Sequence, residues 1–204
     1  MNYSICISGA AAGETVLSSQ SLAERLGNEI ARSGHIITTG ATVGLPMFAA
    51  RAAKDAGGKS IGFSPASSLR EHVNKYRLPI GFFDYVVYTG MNYVGRDVFL
   101  VQSSDAVITV GGRFGSLHEF TTALESRMVC GVLLESGGAA DIIPELMKQL
   151  PAPNEKLVIF DTNPERLVQK IIKMLDAEMH GINTKAIEQE WFVKSQSTLG
   201  SHAG

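Results

Sequence analysis

The stretch Ala106-Val107-Ile108-Thr109-Val110-Gly111-Gly112-Arg113-Phe114-Gly115-Ser116-Leu117-His118-Glu119 decides the fold. It opens as a continuous β-branched, apolar run, the pattern of a strand buried on both faces. It then turns on glycines and enters a helix-like segment, Leu117 to Ser126. Backbone N–H groups in such a turn have no partner and gain the positive end of the helix dipole, which suits an anion such as phosphate. Gly111, Gly112, Arg113, Gly115 and Ser116 are therefore candidate phosphate-binding positions, and Ser116 adds a hydroxyl. Glu119, one turn on, supplies a carboxylate for acid–base or charge-stabilising work. The same residues also fit a plain strand-to-helix turn in which Glu119 only complements the helix N-terminus.

Outward from this unit, strand-like and helical runs alternate along the chain. Strands are predicted at 4–8, 35–39, 60–63, 85–89, 106–110, 129–134 and 157–160. Helices are predicted at 21–33, 45–56, 93–103, 117–126, 142–149 and 164–179. Ser21 and Glu24 have capping-box spacing, and Gly34 stands where a C-terminal glycine belongs. This alternation implies right-handed βαβ units. The expected fold is α/β, a Rossmann-like doubly wound, mostly parallel sheet of about seven strands with helices on both faces. Ligands in such folds sit at the carboxyl ends of strands. Gly9, Gly40, Thr42 and Gly44 fall at those ends and join the candidate site. Arg96 precedes the fifth strand: a lone helical arginine is commonly a solvated surface group, but this one is set near the same ends.

At 204 residues the chain is long enough for one domain with its own core. Residues 1–180 read as that domain and 181–204 as a C-terminal extension, its last ten or so residues disordered. Trp191-Phe192 is expected to dock on the body of the chain or on a partner subunit. A net charge of −2 without a dense Lys/Arg run argues against nucleic acid as a partner. No apolar run suggests a signal peptide or membrane span. Cys6 and Cys130 lie in strand-like runs and read as buried small hydrophobes, with a reducing, cytoplasmic setting expected. The histidines have no metal-ligand spacing, so no metal is expected.

Three chemistries lack their residues. The first turn, Gly9-Ala10-Ala11-Ala12-Gly13, lacks GxGxxG spacing, and no acidic residue ends the second strand, which argues against NAD. No GxxxxGK[ST] is present, and no lysine stands at a strand end to bind pyridoxal phosphate.

Thr39-Gly40-Ala41-Thr42-Val43-Gly44-Leu45-Pro46-Met47, followed by Ala52-Ala53-Lys54-Asp55-Ala56-Gly57-Gly58-Lys59-Ser60-Ile61-Gly62, resembles the GGGxxGLMG…AxxAGGxVIG block of the Lonely Guy (LOG) proteins of the SLOG superfamily. Arg96, Ser104-Asp105-Ala106 and Gly111 to Glu119 match that family's R-x7-SDA-x4-PGGxGTxxE arrangement without a gap. The resemblance covers roughly the first 160 residues. It implies a seven-stranded Rossmann-like fold, usually dimeric, with the active site near the subunit interface. It also implies a phosphoribohydrolase that cleaves AMP or cytokinin riboside 5′-monophosphates to free base and ribose 5-phosphate, without a cofactor. On that basis Arg96 and Glu119 are the catalytic pair, and Gly112, Gly115 and Ser116 bind phosphate. A carboxylate at Glu119 could stabilise oxocarbenium character at the sugar and help activate water.

The chain departs from the pattern at four places. Gly111 replaces the family's proline, Arg113 its second motif glycine and Ser116 its threonine. Tyr88 to Asp97 stands where an MHERK-like segment would precede and include the arginine. Arg113 either adds a charge-assisted phosphate contact or fills the pocket and selects another nucleotide. The chain reads as a divergent member, with a non-catalytic nucleotide-binding sensor or partner module as the alternative to the hydrolase.

Overall fold

In the computed structural model, which describes residues 2–150, 154–182 and 185–191, the apolar runs form β1 (Ser4–Gly9), β2 (Ile36–Thr39), β3 (Lys59–Ser64), β4 (Tyr85–Tyr88), β5 (Ala106–Val110), β6 (Val129–Leu133) and β7 (Val158–Asp161). All seven pair in parallel, in the order β4-β3-β2-β1-β5-β6-β7. The sheet grows outward from β1 to β4, then resumes on the other side of β1 with β5. Gly9 pairs with Val110, so the two central strands end level with each other. Backbone diverges there to opposite sides, the switch point at which α/β sheets take ligands.

The helices are α1 (Glu14–Arg32), α2 (Leu45–Asp55), α3 (Leu69–Asn74), α4 (Asn92–Gln102), α5 (Phe114–Glu125), α6 (Gly138–Gln149) and α7 (Pro164–Glu178). α1, α2 and α7 cover one face over Ile5, Ile7, Ile37 and Ile108. α4, α5 and α6 cover the other over Cys6, Val107, Cys130 and Val132. Both cysteines are buried, as their strand setting implied. No helix among the described residues is long and apolar enough to cross a membrane.

Several boundaries differ from the sequence expectation. α1 begins at Glu14, one residue after Gly13 at φ 105°, so Ser21 and Glu24 lie inside the helix and form no capping box. The mostly polar run Glu14 to Gln20, broken only by Val16 and Leu17, hides this first part, although Ser19 is buried and its hydroxyl donates to the Ser136 carbonyl at 2.7 Å. Gly34 does end the helix with positive φ. α3 carries no strong periodic signal and was not expected. α5 and α6 each start three to four residues earlier than their apolar residues indicate. Trp191 is 74% exposed, against the expected docking on the body of the chain. Phe192 and the tail beyond it lie outside the described residues.

α1 and α2 approach each other through small residues. A Cβ at Gly27 would stand 2.0 Å from the Ala49 carbonyl oxygen. That neighbour is backbone and cannot swing away. Gly27→Ala is therefore expected to destabilise the protein by about 1–3 kcal/mol from overpacking, offset by no more than ~1 kcal/mol of helix propensity. A lower urea midpoint checks this; an unchanged or raised midpoint would refute the close approach.

Candidate functional site

The turn after β5 is shaped by two left-handed glycines, Gly111 at φ 55° and Gly112 at φ 94°. The Gly111 N–H donates to Ser136 Oγ at 2.7 Å, and the carbonyls of Gly111 and Gly112 accept from Ala140 and Ala139. These two residues thus tie the start of α6 to the turn. Proline, with φ fixed near −65° and no N–H, could not serve at Gly111. Arg113 is extended and forms the N-cap of α5 without a side-chain capping bond. The first intrahelical backbone bond runs from Leu117 N–H to the Arg113 carbonyl. The Phe114, Gly115 and Ser116 N–H groups thus begin the helix as its unpaired donors, at the positive end of its dipole.

Facing this helix start is a buried charged cluster. Arg96 is 5% exposed, Asp97 6% and Glu119 8%. On α4, Arg96 lies four residues before Leu100 and Asp97 four before Val101, both fully buried, so the helical period turns both charges inward. Arg96 Nη1 donates to the Phe63 carbonyl at 3.2 Å. Arg96 Nε lies 3.3 Å from Asp97 Oδ1, an ion-pair contact outside hydrogen-bond geometry, and has no hydrogen-bond partner among the described residues. The second Asp97 oxygen is 3.2 Å from His118 Nδ1. Ser8 Oγ on β1 donates to Glu119.

Burial pushes the Glu119 carboxyl up to about 7. Arg96 opposes the rise, the Asp97 charge and hydrogen bond add to it, and the Ser8 hydroxyl opposes it. A rise of this kind favours the protonated form, in which the carboxyl donates as well as accepts.

A cavity of about 180 Å³ lies between the helix start and this cluster. Of the sequence-predicted residues, Gly9, Gly40, Thr42, Arg96, Arg113, Gly115, Ser116 and Glu119 line it. Gly44, Gly111 and Gly112 do not: Gly44 packs on the Ala10–Ala11 backbone, and the other two hold α6. Gly40 has a different part from the one expected. A Cβ there would meet Arg96 Nη1 at 1.7 Å, so this glycine gives the guanidinium its place. Asp97, Tyr93, Ala10, Ala11, Pro46 and Ile7 also line the cavity, and Ser8 acts beneath it through Glu119. The sequence reading missed all of these; only Asp97 had a usable signal, its place on the buried stripe of α4. No cluster of possible metal ligands occurs among the described residues.

Fold and site together define a Rossmann-like α/β protein with a polar cavity at the β1/β5 switch point. The chain belongs to the SLOG cluster4 family, whose profile matches residues 2–168. An uncharacterised protein of Archaeoglobus fulgidus is 34% identical over 114 residues, 56% of this chain and 70% of its own. The molybdenum cofactor binding protein of Rippkaea orientalis is 26% identical, with 86% of this chain and 98% of that one covered and a TM-score of 0.71. The molybdenum cofactor carrier protein of Chlamydomonas reinhardtii is also 26% identical, with 87% and 99% covered and a TM-score of 0.67. DNA processing protein A of Helicobacter pylori, at 18% identity, 84% and 80% coverage and a TM-score of 0.58, shares the fold alone.

Gly40→Ala separates site from scaffold. The new methyl meets the end of a flexible side chain rather than backbone, so Arg96 is expected to move while the fold persists. A folded protein with a lowered thermal midpoint is the expected result, because a buried guanidinium pushed away from Phe63 and Asp97 loses its partners. An unchanged midpoint would refute the close approach of Gly40 to Arg96.

Proposed function

We propose that this protein binds a phosphorylated heterocyclic ligand, a nucleoside 5′-monophosphate or the molybdenum cofactor, as a binding or carrier protein. The carrying observation is the convergence of the α5 N-terminus, Arg113 and Ser116 with Arg96 and Glu119 on one cavity. The phosphate would accept from the first N–H groups of α5 and from Ser116, with Arg113 at the rim adding a charge-assisted contact. The organic part would reach toward Arg96 and Glu119. Two relatives whose names state molybdenum cofactor binding or carriage match over nearly their full length, which favours binding over turnover. The ties of Arg96 to Phe63 and Asp97 point the same way, because a guanidinium already engaged is a poorer partner for charge developing in a reaction.

Hydrolysis of the N-glycosidic bond is the second reading, and the retained Arg96 and Glu119 in one cavity favour it. Glu119 would then stabilise the oxocarbenium-like sugar in its ionised form. One experiment separates the two: titrate the purified protein with AMP and with the molybdenum cofactor by calorimetry, and analyse the AMP mixture for free adenine by chromatography. Binding without adenine, weakened about fivefold or more by Ser116→Ala through loss of one hydrogen bond, is expected. Adenine release abolished in Glu119→Ala would replace the binding reading with the hydrolase. Binding of neither ligand would overturn both.

We also propose a homodimer, as the resemblance implies. Val94, Val98 and Phe99 stand exposed on one stripe of α4, opposite Arg96 and Asp97. A second copy seated there would lie beside the Tyr93 edge of the cavity. Val94→Asp is expected to convert the dimer to a monomer in sedimentation velocity, and an unchanged dimer would place the interface elsewhere.

A further inference from the structure

A second recess lies against the same turn, on the far side of the start of α5. It holds about 300 Å³, with Phe114, Leu117 and Ile142 as walls over a floor of Gly112, Gly138 and Ala139. Helical period sets it apart from the first cavity: Phe114 and Leu117 fall on one face of α5, and Gly115, Ser116 and Glu119 on the opposite face. The floor is closed by a tight backbone approach. A Cβ at Gly138 would stand 2.2 Å from the Gly112 carbonyl oxygen, and one at Gly112 would meet Ala139 Cβ at 3.7 Å. Ile142 follows Gly138 by four residues and Ala139 by three, so it rises over them on the same face of α6. Nothing longer than a methyl projects from this floor, which leaves a slot between Phe114 and Ile142. Those two side chains are 88% and 61% exposed. Large apolar side chains left in water around a concavity mark a binding surface.

The two cavities differ in chemistry and share one residue. The first is walled by Arg96, Asp97, Ser116 and Glu119, whereas the recess has apolar side chains apart from Arg113. Arg113 lines both, and the helix start with its unpaired N–H groups stands between them. Charge adds a second constraint. Arg96 is already paired with Asp97, which leaves the single charge of the exposed Arg113 for the ligand. A phosphate monoester carries about −1.5 to −2 near neutral pH. A phosphate esterified on both sides carries only one negative charge, the better match.

We propose that the ligand is a nucleoside 5′-phosphate diester, with its nucleoside side in the Arg96–Glu119 cavity and a flat apolar ring on its second ester in the Phe114–Ile142 slot. This rests on the ligand-binding reading of the first cavity and names the class of molecule bound there. The Arg113 guanidinium pairs with the remaining phosphate charge along its edge and lies over the ring with its face, two contacts that a planar cation makes at once.

The phenyl and methyl esters of AMP carry the same charge and differ by the ring alone. The wild type is expected to bind the phenyl ester at least about fivefold more tightly than the methyl ester, the lower end for one base–aromatic stack. Phe114→Ala and Ile142→Ser are expected to bring that ratio toward one. Both side chains are exposed, so both variants are expected to fold. An independent measurement needs only the wild type: the carbon-13-labelled Ile142 methyl resonance shifts further with the phenyl ester than with the methyl ester. A wild-type ratio near one, an Ile142 resonance that does not distinguish the esters, or a ratio kept in both folded variants overturns the proposal. A variant that lowers assembly size in sedimentation velocity while keeping the ratio gives the slot to a second copy of the chain and overturns it too. Esters that fail to bind where AMP or the molybdenum cofactor binds overturn this proposal and leave the ligand reading standing. Binding of none of these molecules overturns both.

Discussion

A guanidinium buried beside two carboxyl groups is the interaction on which the upper end of this sheet depends. Taking an ion out of water costs several kcal/mol even after relaxation, and arginine cannot escape by losing its proton. Arg96 must therefore be partnered where it lies. Asp97 supplies the opposite charge and the Phe63 carbonyl an acceptor. A second full negative charge at Glu119 would leave the cluster with an excess anion. Burial and the Asp97 charge both push the Glu119 carboxyl upward, against that second charge. The surrounding backbone follows from the same requirement: Gly40 has no side chain because the guanidinium occupies that space.

The turn opposite is governed by backbone rather than charge. Its two glycines take positive φ, and their carbonyls receive the first amides of α6 while Ser136 receives the Gly111 N–H. Ser136 is held in turn by its hydroxyl donating to the Leu133 carbonyl at 2.5 Å, and its own carbonyl accepts from Ser19. The start of α6, the end of β6 and the first turns of α1 are thereby braced against the segment that opens α5. Replacement of the resembled family's proline by Gly111 belongs to this bracing. Arg113 occupies an extended N-cap position, so its long side chain meets no backbone constraint there and lies on the cavity wall.

The parallel sheet could be read from the sequence because its strands are buried on both faces and so appear as unbroken apolar runs. Arg96, Glu119 and the glycine turn could be read because their spacing is set by one strand–turn–helix unit and the helix before it. What escaped was set by contacts between distant segments. Ser8 looks like any polar strand residue until Glu119 folds over it. Gly40 reads as a turn glycine because its partner, Arg96, is 56 positions away in sequence. The beginning of α1 was hidden by polar residues whose burial depends on the Ser136 loop. Asp97 was legible in principle from helical period alone, yet an Arg–Asp neighbour pair is indistinguishable from surface charge unless the stripe it shares with Leu100 and Val101 is traced.

Cavity size then decides where discrimination among ligands resides. Pockets that enclose a drug-sized molecule usually run to about 300–1,000 Å³, well above the 180 Å³ available here. The floor cannot widen easily, since it is built from strand ends in register and from a guanidinium fixed on two sides. A cavity of this size encloses only a small group or one part of a larger molecule. Its mouth is bordered by Tyr93, 45% exposed and next to the apolar stripe of α4. This chain departs from the resembled pattern on both sides of the cavity, in Tyr88 to Asp97, which carries Tyr93, Arg96 and Asp97 of its lining, and in the turn opposite, at Gly111, Arg113 and Ser116.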